Sequence, residues 1–320
     1  MVIPPRLAPR AGPGVWTGAT MLPSHWMLPV GGEAAAELLA AVAASGGIRP
    51  ERPEDAPLPH FGAVLRDAAD RLEHGAGFVL LRGLAADRFT AESAAAALLV
   101  VAAHLGAALP QDSEGTLVAR PRGATGGQLL AEPADAVAMF CLRALPEGEA
   151  VCLHSAASLH NELLRGNRAA LAALHAPLPQ RRNGGGGDAS GAEPVMLPVF
   201  GTTGGAFVGR YDRAAVLDAL LDPAQAAAVA ALDAAASVPG QALAIPLRAG
   251  DLLLLNPQLV WRRGSAASKT TEEGEPRVLG AWLSTRTSRA LPESFRAVFG
   301  ETAAGARRGG VASGPGMVGG

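Results

Sequence analysis

Thiols and imidazoles offer the widest chemistry in this sequence, and their spacing limits it at once. The two cysteines, Cys141 and Cys152, lie in separate apolar runs with no CxxC spacing and no His or Cys beside them in metal-ligand register. A zinc site or an activated thiolate needs such neighbours; a buried free thiol does not. Of the seven histidines, His25, His60, His74, His104 and His175 fall in helical or N-terminal stretches, while His154 and His160 flank the end of a strand and the start of a helix. Packed or solvated imidazoles are the expectation for all seven. The stretch "GQLLAEPADAVAMFCLR", 127–143, is different: it reads as a buried strand leaving a polar turn, with the carboxylate of Glu132 ahead of it.

The composition narrows the partners. In 320 residues, 49% of them hydrophobic, there is enough apolar surface for a sizeable core. With 27 basic and 29 acidic residues, a net charge of −2 and no long run of either sign, the electrostatic footprint of a nucleic-acid binder is missing. No apolar stretch reaches the ~18 residues of a membrane span, and the N-terminus lacks a charged-then-apolar signal pattern. These features predict a cytoplasmic protein with a small-molecule ligand, no nucleic-acid or membrane partner, and room for a protein partner or homo-oligomer.

The elements that must position any site follow from periodicity. Prolines at 4, 5, 9, 13, 23 and 29, with Trp16 and Trp26, predict an extended arm over 1–31 pinned by two indoles. Helices are expected at "GGEAAAELLAAVAAS", at "PHFGAVLRDAADRLEHGAG" and, behind a Thr90 cap, at "TAESAAAALLVVAAHLGAAL". "GFVLLRGL" between the last two is a buried strand. From residue 116 the pattern turns to short strands, among them "TLVAR", "AVAMFCLRAL", "EAVCLHSA", "GDLLLLN", "QLVWR" and "RVLGAWLST", separated by turn signals. Two further helices, "SLHNELLRGNRAALAALHA" and "RAAVLDALLDPAQAAAVAALDAAASV", interrupt them. Many short strands at loop spacing suggest a sandwich or barrel. The expected organisation is an arm over 1–31, a single domain over 32–300 and a flexible glycine-rich tail over 301–320, with 183–194 a long connection or a lid.

In order and approximate spacing, "GPGVWTGATM", "LEHGAGFVLLRGL", "AHLGAALPQ", "AVAMFCLRAL", "HSAASLHNELL", "RAGDLLLLNPQLVW", "WLSTRTSRALPESF" and "ARRGGV" resemble the TauD/TfdA branch of the iron(II)/2-oxoglutarate dioxygenases, the clavaminate synthase-like group. The resemblance implies an α+β fold with a double-stranded β-helix core, jelly-roll and cupin-like, and helices packed outside. It also implies an iron held at the barrel mouth by two His and one carboxylate, leaving positions for 2-oxoglutarate and oxygen.

At those positions the sequence departs from the family. Counting back from "CLR", the family's His-x-Asp pair falls on Leu130 and Glu132. The distal His falls on Arg262, whose guanidinium stays protonated and has no lone pair for iron. The arginine that binds 2-oxoglutarate falls on Gly280; Arg277 is close in sequence but belongs to the other face of the strand unless it bulges. Neither a metal nor a cofactor is therefore expected, and Fe(II) with 2-oxoglutarate applies only to an active oxygenase with unusual ligands. Arg262 opposite Glu132 is expected to replace the metal charge, with Leu130 filling the imidazole volume. Two roles follow. The cavity is reused, for a metabolite or for a metal-independent step in specialised metabolism, with Glu132 and Arg262 catalytic and Arg263, Arg277 and Asn256 binding substrate or an anion. Alternatively, the chain is a pseudoenzyme that contacts a protein partner, for instance through "LDPAQAAAVAALDAAASV".

Overall fold

Residues Leu252, Leu253, Leu254 and Leu255 leave no polar face on their strand, and the structure buries both sides of it. Leu252 and Leu254 join a cluster with three helices, whereas Leu253 and Leu255 point the opposite way into a second cluster. That alternation is the period-two geometry of a strand between two apolar layers.

The computed structural model describes residues 7–122, 127–182, 193–263 and 276–311. The N-terminal half contains α1 (Pro23–Trp26), β1 (Met27–Pro29), α2 (Gly32–Ala44), α3 (Phe61–His74), β2 (Phe78–Arg82), α4 (Ala91–Leu105), β3 (Gly106–Leu109), β4 (Val118–Ala119), β5 (Leu129–Leu130) and β6 (Ala136–Cys141). Next come β7 (Val151–Ser155), α5 (Ala156–Gly166), α6 (Arg168–His175), β8 (Leu178–Gln180), β9 (Val195–Leu197), β10 (Phe200–Thr203) and β11 (Ala206–Gly209). The chain continues through α7 (Pro223–Ala236), β12 (Leu243–Ile245), β13 (Asp251–Leu255), β14 (Val260–Arg263), β15 (Val278–Thr285) and α8 (Arg296–Phe299).

A large sheet runs β1-β2-β13-β6-β15-β3, with β4 also on β15, and a smaller sheet runs β12-β7-β14-β5. Their inner faces share one core that includes Phe78, Met139, Leu153, Val260 and Trp282. Helices α2, α3 and α4 cover the outside of the large sheet, and α5, α6 and α7 cover the outside of the small one. Two facing sheets with helices outside form the double-stranded β-helix expected from the sequence. No helix among the described residues is long and apolar enough to cross a membrane.

Several elements differ from their sequence expectations. The helix expected from Ser158 to Ala176 is two, because Asn167 ends α5 and its side chain caps α6, accepting from the Ala170 N–H at 3.0 Å. The helix expected from Arg213 starts at Pro223 instead, where Asp222 and Gln225 form a reciprocal cap and proline occupies the first turn. The N-terminal segment is pinned by its indoles: Trp16 Nε1 donates to the Ala76 carbonyl at 2.8 Å, and Trp16 and Trp26 both pack on Phe78. It also adds β1 to the large sheet, parallel to β2.

The tail departs most. Within the stretch expected to be flexible, residues 301–311 pack, and Arg308 and Val311 are buried. The Arg308 guanidinium donates through Nε to Asp135 Oδ1 at 2.8 Å and through its other nitrogens to the carbonyls of Arg289, Thr302 and Ala303. Glycine is required at 309, where φ is +86° and a Cβ would lie 2.3 Å from the Pro133 carbonyl oxygen. Small residues here allow close approach of the backbone rather than disorder. Of the connection at 183–194, residues 183–192 lie outside the described residues.

Candidate functional site

Leu129 and Ala131 belong to the helix-side cluster of the small sheet, so Leu130 and Glu132 face inward between the sheets. On the paired strand Trp261 joins that same outer cluster and Val260 the inner one, which turns Arg262 inward. Leu130 and Arg262 are directly opposite each other in the antiparallel pairing of β5 with β14. Strand register therefore brings together the three positions that the sequence resemblance aligns with the family's metal ligands.

Arg262 Nε donates to Glu132 Oε1 at 2.5 Å, and the two side chains are 4% and 1% exposed. Its Nη2 donates to the Arg122 carbonyl at 2.6 Å. Glu132 Oε2 is buried without a partner. This is a charge-assisted bond out of water, made in the geometry expected from the two residue types.

The donor set does not fit iron. Leu130 has no lone pair, Arg262 is a cation, and one oxygen of the Glu132 carboxylate, Oε1, already accepts from that cation. Among the described residues no group of three or more His, Cys, Asp or Glu is arranged to hold a metal ion. No replacement imidazole stands nearby: His154 lies on the outward face of β7, opposite Trp261. Burial, with the Arg263 charge added, pulls its pKa down to about 4. Burial likewise pulls His160 and His175 down to about 4, assisted by Arg10. The Cys141 thiol, pushed up to about 12 by burial, donates to the Arg143 carbonyl, and burial also raises Cys152. Neither thiol is an activated nucleophile.

The position that the sequence resemblance aligns with the 2-oxoglutarate arginine is filled as well. Gly280 faces inward on β15, and a Cβ there would sit 3.2 Å from Pro121 Cγ. That proline belongs to a segment tied down by β4, whose Ala119 pairs with Gly280, and by Gln111, whose amide nitrogen donates to the carbonyls of Leu117 and Gly280, each at 2.9 Å. A longer side chain at 280 would have to displace the ring.

The other sequence candidates lie elsewhere. Register along β15 and β6 is regular from Val278 to Leu283, so no bulge turns Arg277 inward; it is exposed and donates to the Ala144 carbonyl at 3.0 Å. Arg263 follows Arg262 on the strand and so points outward, toward Ser237 at the end of α7. Asn256 anchors the turn between β13 and β14, accepting from the Gln258 N–H and donating toward Leu72 and Glu73 of α3.

Sequence reasoning missed Pro121, Arg122 and a buried cluster formed by Arg210, Asp212 and Gln180. Arg210 Nη1 donates to Gln180 Oε1 at 2.9 Å. The one available signal was "GRYDR", a charged run entering the core straight after a strand.

Comparison with known proteins agrees with this framework. An FR-33289 synthase from Streptomyces rubellomurinus (strain ATCC 31215) is 24% identical over 271 residues, covering 75% of this chain and 78% of its own. The structure of an asparagine oxygenase in complex with Fe(II), 2S,3S-3-hydroxyasparagine and succinate aligns with a TM-score of 0.62 at 20% identity, over 84% of this chain and 98% of the other. The non-heme iron oxygenase OrfP in complex with Fe aligns at 0.58 and 15% identity, over 84% and 98%. The model of the taurine catabolism dioxygenase TauD, TfdA family matches residues 41–280, and the chain belongs to that family.

Proposed function

We propose that this chain keeps the dioxygenase fold without iron- and 2-oxoglutarate-dependent oxygenation, and that its role is recognition of a small metabolite at the end of the barrel where its relatives hold their cofactors. The Glu132–Arg262 pair carries this reading. A guanidinium fixed between a carboxylate and a backbone carbonyl supplies the positive charge that a metal would supply, and it leaves no set of lone pairs for one. Pro121 against Gly280 adds a second, independent loss.

A small occupant is supported by the net charge of −2 and by the compounds in the asparagine oxygenase complex. A metal-independent proton transfer at this site would use Glu132 Oε2, because Oε1 is held by Arg262. A protein partner on α7 has less support, since that helix turns Ala228, Val229 and Leu232 into the cluster it shares with α5 and α6.

Anaerobic titration with Fe(II) and 2-oxoglutarate tests the reading directly. No visible metal-to-ligand charge-transfer band is expected; a clear band overturns the proposal. The double variant Leu130→His/Arg262→His, which places two imidazoles beside Glu132, is expected to gain the visible absorption of bound Co(II) that the parent lacks. Equal cobalt absorption in the parent counts against the proposal.

A further inference from the structure

Among the described residues three arginines are buried, and two of them have an acid. Arg262 holds Glu132 and Arg308 holds Asp135. Arg210 is the exception among the described residues. Its Nη1 is spent on the neutral Gln180 amide, and its Nε and Nη2 have no acceptor although both are out of water. Asp212 acts on it through space without forming an ion pair, and its own Oδ1 is buried without a partner. A desolvated guanidinium with two N–H groups lacking acceptors and no ion pair is costly to keep, so such a group is expected to meet an anion in the working state of the protein.

The free atoms indicate which anion. Nε and Nη2 form the side edge of a guanidinium, whose two parallel N–H bonds match the two oxygens of a carboxylate. The same edge is used elsewhere in this chain: Arg82 grips Asp251 through Nε at 2.8 Å and Nη2 at 2.7 Å. One guanidinium balances one negative charge, and the buried Asp212 nearby disfavours a second.

Location ties this edge to the site described above. Tyr211 turns into the helix layer on the outside of the small sheet, whereas the Arg210 side chain reaches Gln180 of β8 instead. There Arg210 feels the charge of Arg122, the residue whose carbonyl accepts from Arg262.

The geometry points to Arg210 as the anchor of a carboxylate-bearing small molecule, bound side-on by Nε and Nη2 with the Gln180 amide fixing the guanidinium plane. This names the ligand class for the role proposed above and rests on that reading.

Acetate, the smallest carboxylate, is the probe. Thermal unfolding of the full chain is followed against added acetate, with ionic strength held constant by chloride. The unfolding midpoint is expected to rise by several degrees with a saturable dependence on acetate. Arg210→Met is expected to abolish that rise. Arg210→Lys keeps the charge but loses the two-pronged edge, and is expected to weaken apparent acetate affinity at least tenfold even if the methionine variant does not fold. No acetate-dependent rise in the parent, or an unchanged affinity in the lysine variant, overturns the assignment. A response to phosphate with none to acetate overturns the carboxylate class. The iron titration has its own readout, so either proposal can fail while the other stands.

Discussion

A guanidinium and a carboxylate that are both out of water depend on each other more than either stabilises the fold. Removing one partner leaves an uncompensated buried charge, which costs about 3–5 kcal/mol, whereas replacing both with apolar groups of similar volume is often neutral or stabilising by about 1–4 kcal/mol. Glu132→Ala is therefore expected to lower unfolding free energy by about 3 kcal/mol. Glu132→Leu/Arg262→Met is expected to recover most of that loss, and urea denaturation of the single and double variants measures the coupling. Additive losses would mean that the two side chains do not act as a pair. This pair was legible in the sequence because the resemblance aligns 130, 132 and 262 with the family's ligand positions, and because Leu130 and Arg262 are chemically incompatible with iron ligation. Arg210 and Pro121 were not legible, since each matters through a neighbour distant in sequence: Gln180 for the first and Gly280 for the second.

At the scale of elements, the strands at the centre of the large sheet were legible because runs such as 252–255 have to be buried on both faces. Helix ends were less so, because alanine-rich sequence continues past the cap that ends the helix, as at Asn167, or precedes the one that starts it, as at Asp222. The C-terminal segment was misread for a related reason: glycine and alanine suggest mobility until a buried acid is found waiting for Arg308, the second of two arginines there. Asp135 is raised by burial and held down by Arg308, and it also accepts from Ser284 Oγ and the Thr285 N–H. Arg308→Ala is expected to cost about 3–5 kcal/mol and to leave Asp135 buried without its counter-ion. Adding Asp135→Ala should restore part of the loss, and opening of 301–311 should register as faster amide exchange there. An Arg308→Ala protein as stable as the parent would show that the tail is not an integral part of the fold.

Across the whole molecule, the histidines that are hard to protonate gather in one layer. His154, His160 and His175 lie between the small sheet and helices α5 to α7, where His160 meets His175 edge to face at 5.4 Å and both stand against Phe200. Each is drawn down to about 4 chiefly by burial, and several of their ring nitrogens have no partner. Between pH 6.5, the unperturbed histidine value, and about 4, the unfolded chain binds protons that the folded chain refuses, so stability is present above that window and is lost as pH falls through it. Asp135 and Glu73, both raised mainly by burial, work against this trend: the fold keeps their protons longer than the unfolded chain does. Comparing the parent with a histidine variant separates the two contributions. His154→Leu removes an imidazole with two unsatisfied nitrogens and is expected to be less sensitive to acid, so that its urea midpoint falls less than the parent's between neutral pH and pH 5. Parallel pH profiles for the two proteins would place the acid sensitivity outside this layer. On the large-sheet side the partly buried His104 donates to the Ala56 carbonyl, and acid should open the α5–α7 face first. Amide exchange at mildly acidic pH should then rise in α5 and α6 before it rises in α3 and α4.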